Sequence, residues 1–264
     1  MFYKFRILGC GSSGGIPRVG FGWGKCDPKN RKNRRLRCSL LVERISGTKK
    51  TSVLIDTGPD VREQLLQANV TNLDAVIYTH SHADHVHGID DLRTLAYKQR
   101  EKIPVWADKA TQKRLLQGFS YIFNTPRKSK YPPICDLNLI SSADVIIKGV
   151  AGDINFRPLL VNHGDINALG FKIGKLAYIP DVLEIPSKSW KELEDLDILV
   201  IDALRRDPHP SHTHLEKTLL WLRKLTPKRA ILTNLHNDLD YSELKKELPE
   251  DVEPAFDGLE INIK

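Results

Sequence analysis

Residues 80–85 read His80-Ser81-His82-Ala83-Asp84-His85, which places three imidazoles and one carboxylate within a single short segment. Neutral imidazole nitrogen and hard carboxylate oxygen are ligands that zinc and manganese accept. On a turn, ligands this close in sequence can face two different points, so one loop can serve two adjacent metal ions.

These side chains need elements to position them. The N-terminal Phe2-Tyr3-Lys4-Phe5-Arg6-Ile7-Leu8 alternates and then meets glycine, which reads as an opening strand and not as the core of an export signal. Strand-like runs follow at 39–43, 52–55 and 75–79, with a helical pattern at 60–68 between the last two. The histidine run thus falls at the carboxyl end of a strand, with a helix expected from about Gly88. Later runs at 176–179, 198–201 and 230–233 read as buried strands, and 187–193 and 215–225 as helices. Alternating strands and helices argue for an α/β arrangement with its functional groups on strand-end loops. Residues 118–133 are basic, aromatic and proline-containing, and read as a surface loop or lid. No domain boundary is visible, so residues 1–264 are expected to form one domain.

Composition narrows the class. The chain has 264 residues, 41% of them hydrophobic and 28% charged, as in an ordinary globular protein. No apolar run approaches the roughly 20 residues that span a bilayer, so no membrane association is expected. Cys10, Cys26, Cys38 and Cys135 form no CxxC pair, and a cytoplasmic location with reduced thiols is expected. The net charge of +7 suits an anionic substrate, although a solvated basic surface explains it equally well. The glycine turn at 9–15 lacks the Lys-Ser/Thr ending of a P-loop. Its glycines are expected to supply positive φ and close approach to the metal loop.

The HxHxDH form of His80–His85 resembles the metallo-β-lactamase superfamily, and the order of the other motifs follows it. The likeness is to PhnP-type cyclic-phosphate phosphodiesterases and their tRNase Z relatives, and it runs from the opening glycine turn to Phe256-Asp257-Gly258-Leu259-Glu260. It implies the αβ/βα sandwich of that superfamily and two divalent ions, Zn2+ or Mn2+. Carried over residue by residue, His80, His82 and His163 hold one ion, Asp84 and His85 the other, and Asp181 bridges them. Asp56, ending Leu54-Ile55-Asp56-Thr57-Gly58, supports a ligand histidine from behind. The family's final strand ends Leu-Thr-His, whereas this chain reads Leu232-Thr233-Asn234-Leu235-His236: an ungapped match puts Asn234, a poor substitute for imidazole, at the ligand position, and His236, two residues on, is the last ligand expected. The family's structural zinc is not expected, since Trp23-Gly24-Lys25-Cys26 offers one cysteine and the late histidine position reads Asn237.

The resemblance further implies a catalytic histidine that holds no metal, and His212 matches it best. Two ions about 3.5–4 Å apart can activate a bridging water and clamp an in-line displacement at phosphorus, with Asp84 among the catalytic groups. Arg93 and His214 are candidate substrate contacts, and Arg93 could instead pair with Asp90 or Asp91. The function expected is hydrolysis of a small, cyclic or nucleotide-like phosphodiester. A tRNase Z-like ribonuclease is the first alternative, supported by the basic residues 29–37. A thioester or lactone hydrolase is the second, and a degenerate binding protein, on the strength of Asn234, the third. Nucleic acid is a less favoured partner, and a homodimer is compatible with the sequence.

Overall fold

The structure is a computed structural model that describes every residue except Pro126 and Lys128. The chain divides into two compact units. The first comprises Met1–Leu8, Ser39–Asn155 and Glu260–Lys264, the second Gly9–Cys38 and Phe156–Leu259.

The first unit is built on a mixed sheet. Its strands are β1 (Phe2–Gly9), β2 (Ser39–Ser46), β3 (Lys49–Ile55), β4 (Ala75–Ile77), β5 (Ile103–Ala107), β6 (Cys135–Leu139) and, at the end of the chain, β14 (Glu260–Ile263). Their spatial order is β14-β1-β2-β3-β4-β5-β6. β2 and β3 form an antiparallel hairpin, whereas β3, β4, β5 and β6 run parallel. Parallel neighbours need crossovers. Helices α1 (Val61–Gln67), α2 (Ala83–Val86), α3 (Arg93–Gln99) and α4 (Lys109–Phe123) lie in them, with a 3-10 turn at Ile89–Leu92, and β7 (Val145–Ile147) follows. One core joins Leu41, Leu54 and Val76 of the sheet to Val61, Leu65, Val86 and Leu92, all nearly sealed from water. Each such side chain contributes about 1.5–3 kcal/mol of burial.

The second unit orders its strands β13-β12-β11-β10-β9-β8. These are β8 (Ile154–His163), β9 (Ile166–Ile173), β10 (Leu176–Ile179), β11 (Ile198–Asp202), β12 (Arg229–Thr233) and β13 (Val252–Pro254). β8, β9 and β10 form an antiparallel meander, and β10 to β13 are parallel. α5 (Ser187–Glu192), α6 (Leu215–Leu225) and α7 (Tyr241–Glu247) occupy the crossovers. Leu215, Trp221, Leu222 and Leu225 recur on one face of α6 and pack with Leu199, Ile201 and Leu232 of the strands.

Two mixed sheets with crossover helices are the α/β class expected. One reading is corrected. Residues 118–123 belong to α4 and not to a loop: Gly118 marks a kink, where Phe119 takes non-helical angles (φ −136°, ψ 30°), and the helix resumes to Phe123. The remainder of the 118–133 segment includes Pro126 and Lys128, which lie outside the described residues. No helix among the described residues is long and apolar enough to cross a membrane.

Candidate metal and proton-transfer site

In the first unit, β3 and β4 are parallel neighbours with Ile55 level with Ile77, so the residues after each strand emerge side by side. Asp56 takes φ +65°, a left-handed conformation that aspartate tolerates, and its backbone N–H donates to the Ile77 carbonyl at 2.9 Å. The carboxylate is then turned onto the histidine loop. Asp56 Oδ1 accepts from the Thr79 amide and Oδ2 from the Thr79 hydroxyl, each at 2.8 Å, and Oδ2 also accepts from His85 Nδ1 at 2.7 Å. The Thr79 oxygen in turn lies 3.0 Å from His80 Nδ1. Burial pushes the Asp56 carboxyl up, against the downward pull of His85 and Thr79. Asp56 therefore holds His85 directly, and His80 through the Thr79 hydroxyl, by their Nδ1 atoms, which leaves Nε2 of each as the ligand atom.

The rings gather accordingly. The His80 centroid lies 4.2 Å from that of His85 and 4.6 Å from that of His82. His82 is exposed at the head of α2, and Asp84 in its first turn places Oδ2 3.5 Å from His85 Nε2. His87 is exposed, with Nε2 3.1 Å from the Arg114 guanidinium and its ring against Phe119. Arg93 heads α3 and does take the ion-pair alternative, donating to Asp90 Oδ1 at 2.6 Å. It lines a cavity of about 400 Å³ with Tyr97, Tyr121, Ser129 and Tyr131.

In the second unit the same construction recurs. β10, β11 and β12 are parallel, with Ile179 level with Ile201 and Asp202 with Thr233. Asp181, Asp202 and Asn234 consequently emerge together from neighbouring strand ends. His163 ends β8 in phase with the buried Leu159 and Val161, which turns it inward. Its Nδ1 donates to the Ser211 carbonyl at 2.7 Å. Gly164 makes that approach feasible, because a Cβ there would stand 2.8 Å from Ser211 Cβ and its φ is +70°. The loop carrying Ser211 is held by the Thr213 amide on the Val182 carbonyl and the Leu204 amide on the Thr213 carbonyl.

His212 is fixed by this loop. Its Nδ1 donates to Asp202 Oδ2 at 2.8 Å, lies 3.7 Å from Asp181 Oδ1, and its ring stands 4.5 Å from that of His163. Donor atoms of His163, Asp181 and His212 all fall within 4.8 Å of one another. Asp202 is fully buried, and burial pushes its carboxyl up to about 7 despite the charge and hydrogen bond of His212. Sequence reading did not single out Asp202. The signal was present, since Ile198-Leu199-Val200-Ile201-Asp202 ends an apolar strand on aspartate just as Leu54-Ile55-Asp56 does.

Asn234, at φ +59°, brings its amide nitrogen to 3.3 Å from Asp181 Oδ1 and 3.1 Å from His212 Nδ1. His236 is not brought into this group. Its Nδ1 is 3.0 Å from Asp238 Oδ1, and its Nε2 is hydrogen-bonded by the Arg18 guanidinium. The position that the ungapped match assigns is thus occupied by Asn234. His214 is the residue preceding α6 and is partly buried. His209 lies 5.1 Å, centroid to centroid, from His212, and burial together with the nearby His212 and Arg205 pushes its imidazole down to about 4.

The glycine turn serves a different neighbour from the one expected. Gly15 has the anticipated positive φ of +60°, but the atoms a Cβ would meet belong to Arg35 and Leu36 at Gly11 and to Arg18 at Gly14. The turn is bound to the end of β12, the Ser12 amide donating to the Leu235 carbonyl and the Leu235 amide to the Cys10 carbonyl. Cys26 Sγ, where a zinc thiolate was considered, donates to the Asn237 carbonyl at 3.6 Å.

Imidazoles held through Nδ1 with buried carboxylates beside them suit a divalent metal ion. Comparison with known proteins agrees: residues 51–234 match the model of the beta-lactamase superfamily domain. The chain belongs to the metallo-β-lactamase superfamily. It is 34% identical to a diphosphatase from the PhnP family whose crystal structure superposes with a TM-score of 0.90, covering 100% of this chain and 98% of that one. Human tRNase Z, short form, shares the superfamily fold at 16% identity and a TM-score of 0.64, covering 99% of each chain. An octanoyltransferase of Porphyromonas gingivalis (strain ATCC BAA-308 / W83) is 34% identical over 256 residues, 96% of this chain. The chain spans about half the length of that curated relative, 50% of it.

Proposed function

We propose that this member of the superfamily is a metal-dependent phosphodiesterase acting on a small, cyclic or nucleotide-like phosphodiester. His80, His82, Asp84, His85, His163 and Asp181 would hold the ions, Zn2+ or Mn2+. When bound, such ions polarise a phosphoryl oxygen and lower the pKa of a coordinated water.

The observation that carries the reading is the Asp202–His212 pair beside His163 and Asp181. Because Nδ1–H of His212 is committed to Asp202, Nε2 is the atom that can carry a proton to a leaving oxygen. The Asp202 carboxylate stabilises the imidazolium from which that proton departs and fixes the ring's tautomer. A phosphodiester needs such an acid, since its leaving alkoxide is a strong base. Similarity over the whole chain to a diphosphatase from the PhnP family supports hydrolysis at phosphorus.

The ribonuclease reading has less support. Of the basic run, Lys32 lies 4.4 Å from the ring centroids of both Tyr241 and Phe256, Arg35 is fully buried, and Arg37 donates to the Ser13 carbonyl. Octanoyl transfer through a thiol is not supported either. All four cysteines are buried, and burial raises the thiols of Cys10, Cys26 and Cys135, the opposite of activation.

Metal-analysed protein should hydrolyse bis-p-nitrophenyl phosphate and at least one ribose cyclic phosphate or cyclic nucleotide. A chelator should abolish the activity and added Zn2+ or Mn2+ restore it. Hydrolysis of a lactone, with no phosphodiester turned over, would sink the proposal.

A further inference from the structure

Arg18 lies in the tight turn that follows the glycine run. Its amide donates to the Gly22 carbonyl at 2.8 Å, and the Gly22 amide returns the bond at 2.7 Å. The side chain passes over Gly14, where a Cβ would stand 2.7 Å from Arg18 Nε. It ends on His236 Nε2, while His236 Nδ1 faces Asp238 Oδ1. Arginine only donates, so His236 must accept at Nε2 and carry its proton at Nδ1, where Asp238 takes it. Asp238 is itself fixed by the Arg206 amide, which donates to its Oδ2 at 3.1 Å. The Phe21 ring flanks the guanidinium at 5.9 Å. The other guanidinium N–H groups of Arg18 meet no protein acceptor among the described residues, and the side chain is partly exposed.

A lone pair on Nε2 that accepts from a guanidinium is not available to a metal ion. The next functional residue back along the chain, Asn234, offers an amide N–H to Asp181 Oδ1 beside His212. Leu235, between the two, is the residue to which the glycine turn is tied, so Arg18, Asn234 and His236 are fixed to one strand end. We propose that Arg18 is a built-in anion-binding group of the site, held by the Asp238–His236 pair, and that His236 positions this arginine instead of binding metal. The ligand class is a phosphate or phosphodiester oxygen, which a guanidinium binds through charge-assisted hydrogen bonds. This rests on the phosphodiesterase reading for its substrate, but not for its anion.

The test uses the full-length, metal-loaded chain and three measurements: metal per chain by elemental analysis, inorganic phosphate binding by calorimetry, and kinetics on bis-p-nitrophenyl phosphate. Arg18→Ala should leave the metal content at the wild-type value, weaken phosphate binding about tenfold or more, and raise KM more than it lowers kcat. A tenfold loss is about 1.4 kcal/mol, within the range of a single charge-assisted hydrogen bond. His236→Ala and His236→Gln should also keep the metal, with Gln retaining more of the phosphate affinity because its side-chain oxygen can accept from Arg18. The double variant Arg18→Ala/His236→Ala should be no worse than Arg18→Ala alone, since the histidine acts only through the arginine. Loss of a metal ion in either folded His236 variant overturns the proposal, as does phosphate binding unchanged in Arg18→Ala. Should the wild type turn over no phosphodiester, the functional reading falls, while metal counts and phosphate binding still decide the role of Arg18.

Discussion

Replacing His212 by alanine removes the group that can protonate a leaving oxygen and leaves His163, Asp181 and the histidine loop in place. The expected result is a loss of about 10²- to 10⁴-fold in kcat on a phosphodiester, with metal content unchanged. Asp202→Asn should act in the same direction, because an amide no longer accepts a proton-bearing Nδ1 as a charge and no longer stabilises the imidazolium. Its kcat should fall further on substrates with more basic leaving groups, and an equal effect on p-nitrophenyl and alkyl esters would argue against the acid role. At this scale the sequence was legible where side-chain type and strand-end position coincide, as at Asp56 and His163. It was ambiguous at 234–236, because the left-handed turn at Asn234 decides which side chain reaches Asp181, and a turn angle cannot be read from residue types. Arg18 left no signal at all. Its role depends on a glycine four residues earlier and a histidine 218 residues later.

The histidine loop is held against α1 by a contact that only glycine permits. A Cβ on Gly88 would stand 2.2 Å from the Gly58 carbonyl oxygen and 2.6 Å from Val61 Cγ1, and the Gly88 amide donates to the Thr57 carbonyl at 2.8 Å. Gly88→Ala should therefore cost about 1–3 kcal/mol through overpacking, seen as a lowered Tm, and should loosen metal binding as the loop shifts. A Tm at the wild-type value would show that the loop has room to move. Strands and helices with clear periodicity were readable from sequence, β10 and α6 to the residue. Residues 118–123 were not, since glycine and aromatics running into a basic, proline-containing stretch resemble a loop when the packing of Ile122 and Phe123 is unknown.

Stability of the molecule should carry the mark of Asp257. This carboxylate accepts from the amides of Leu36 at 2.7 Å and Cys10 at 3.1 Å and from Cys10 Sγ at 3.3 Å, and burial still pushes it up to about 7. An unfolded aspartate titrates near 3.9, so between about pH 4 and 7 the folded state keeps a proton that the unfolded state has released. The folded state binding more protons, stability falls as pH rises through that window, by ~4 kcal/mol at most. Denaturant unfolding at pH 5 and pH 8 should show the wild type losing more stability than Asp257→Asn. Equal losses would mean that Asp257 is ionised throughout. At the scale of the molecule, the alternation of strands and helices made the class legible. The division into two units was not, because the first is assembled from three separate stretches of sequence.

That assembly gives β14 a protective duty. β14 pairs with β1, Tyr3 against Ile263 and Arg6 against Glu260, so β1 waits for this partner through the synthesis of every strand between them. Until then β1 presents a bare row of amides and carbonyls, flanked by Phe5 and Ile7, of the kind that recruits strands from other chains. The lysine and arginine at positions 4 and 6 make such recruitment costly between identical chains, and when β14 arrives they become partners of Glu260. A chain lacking β14 would be exposed to aggregation although every residue of its chemistry was present.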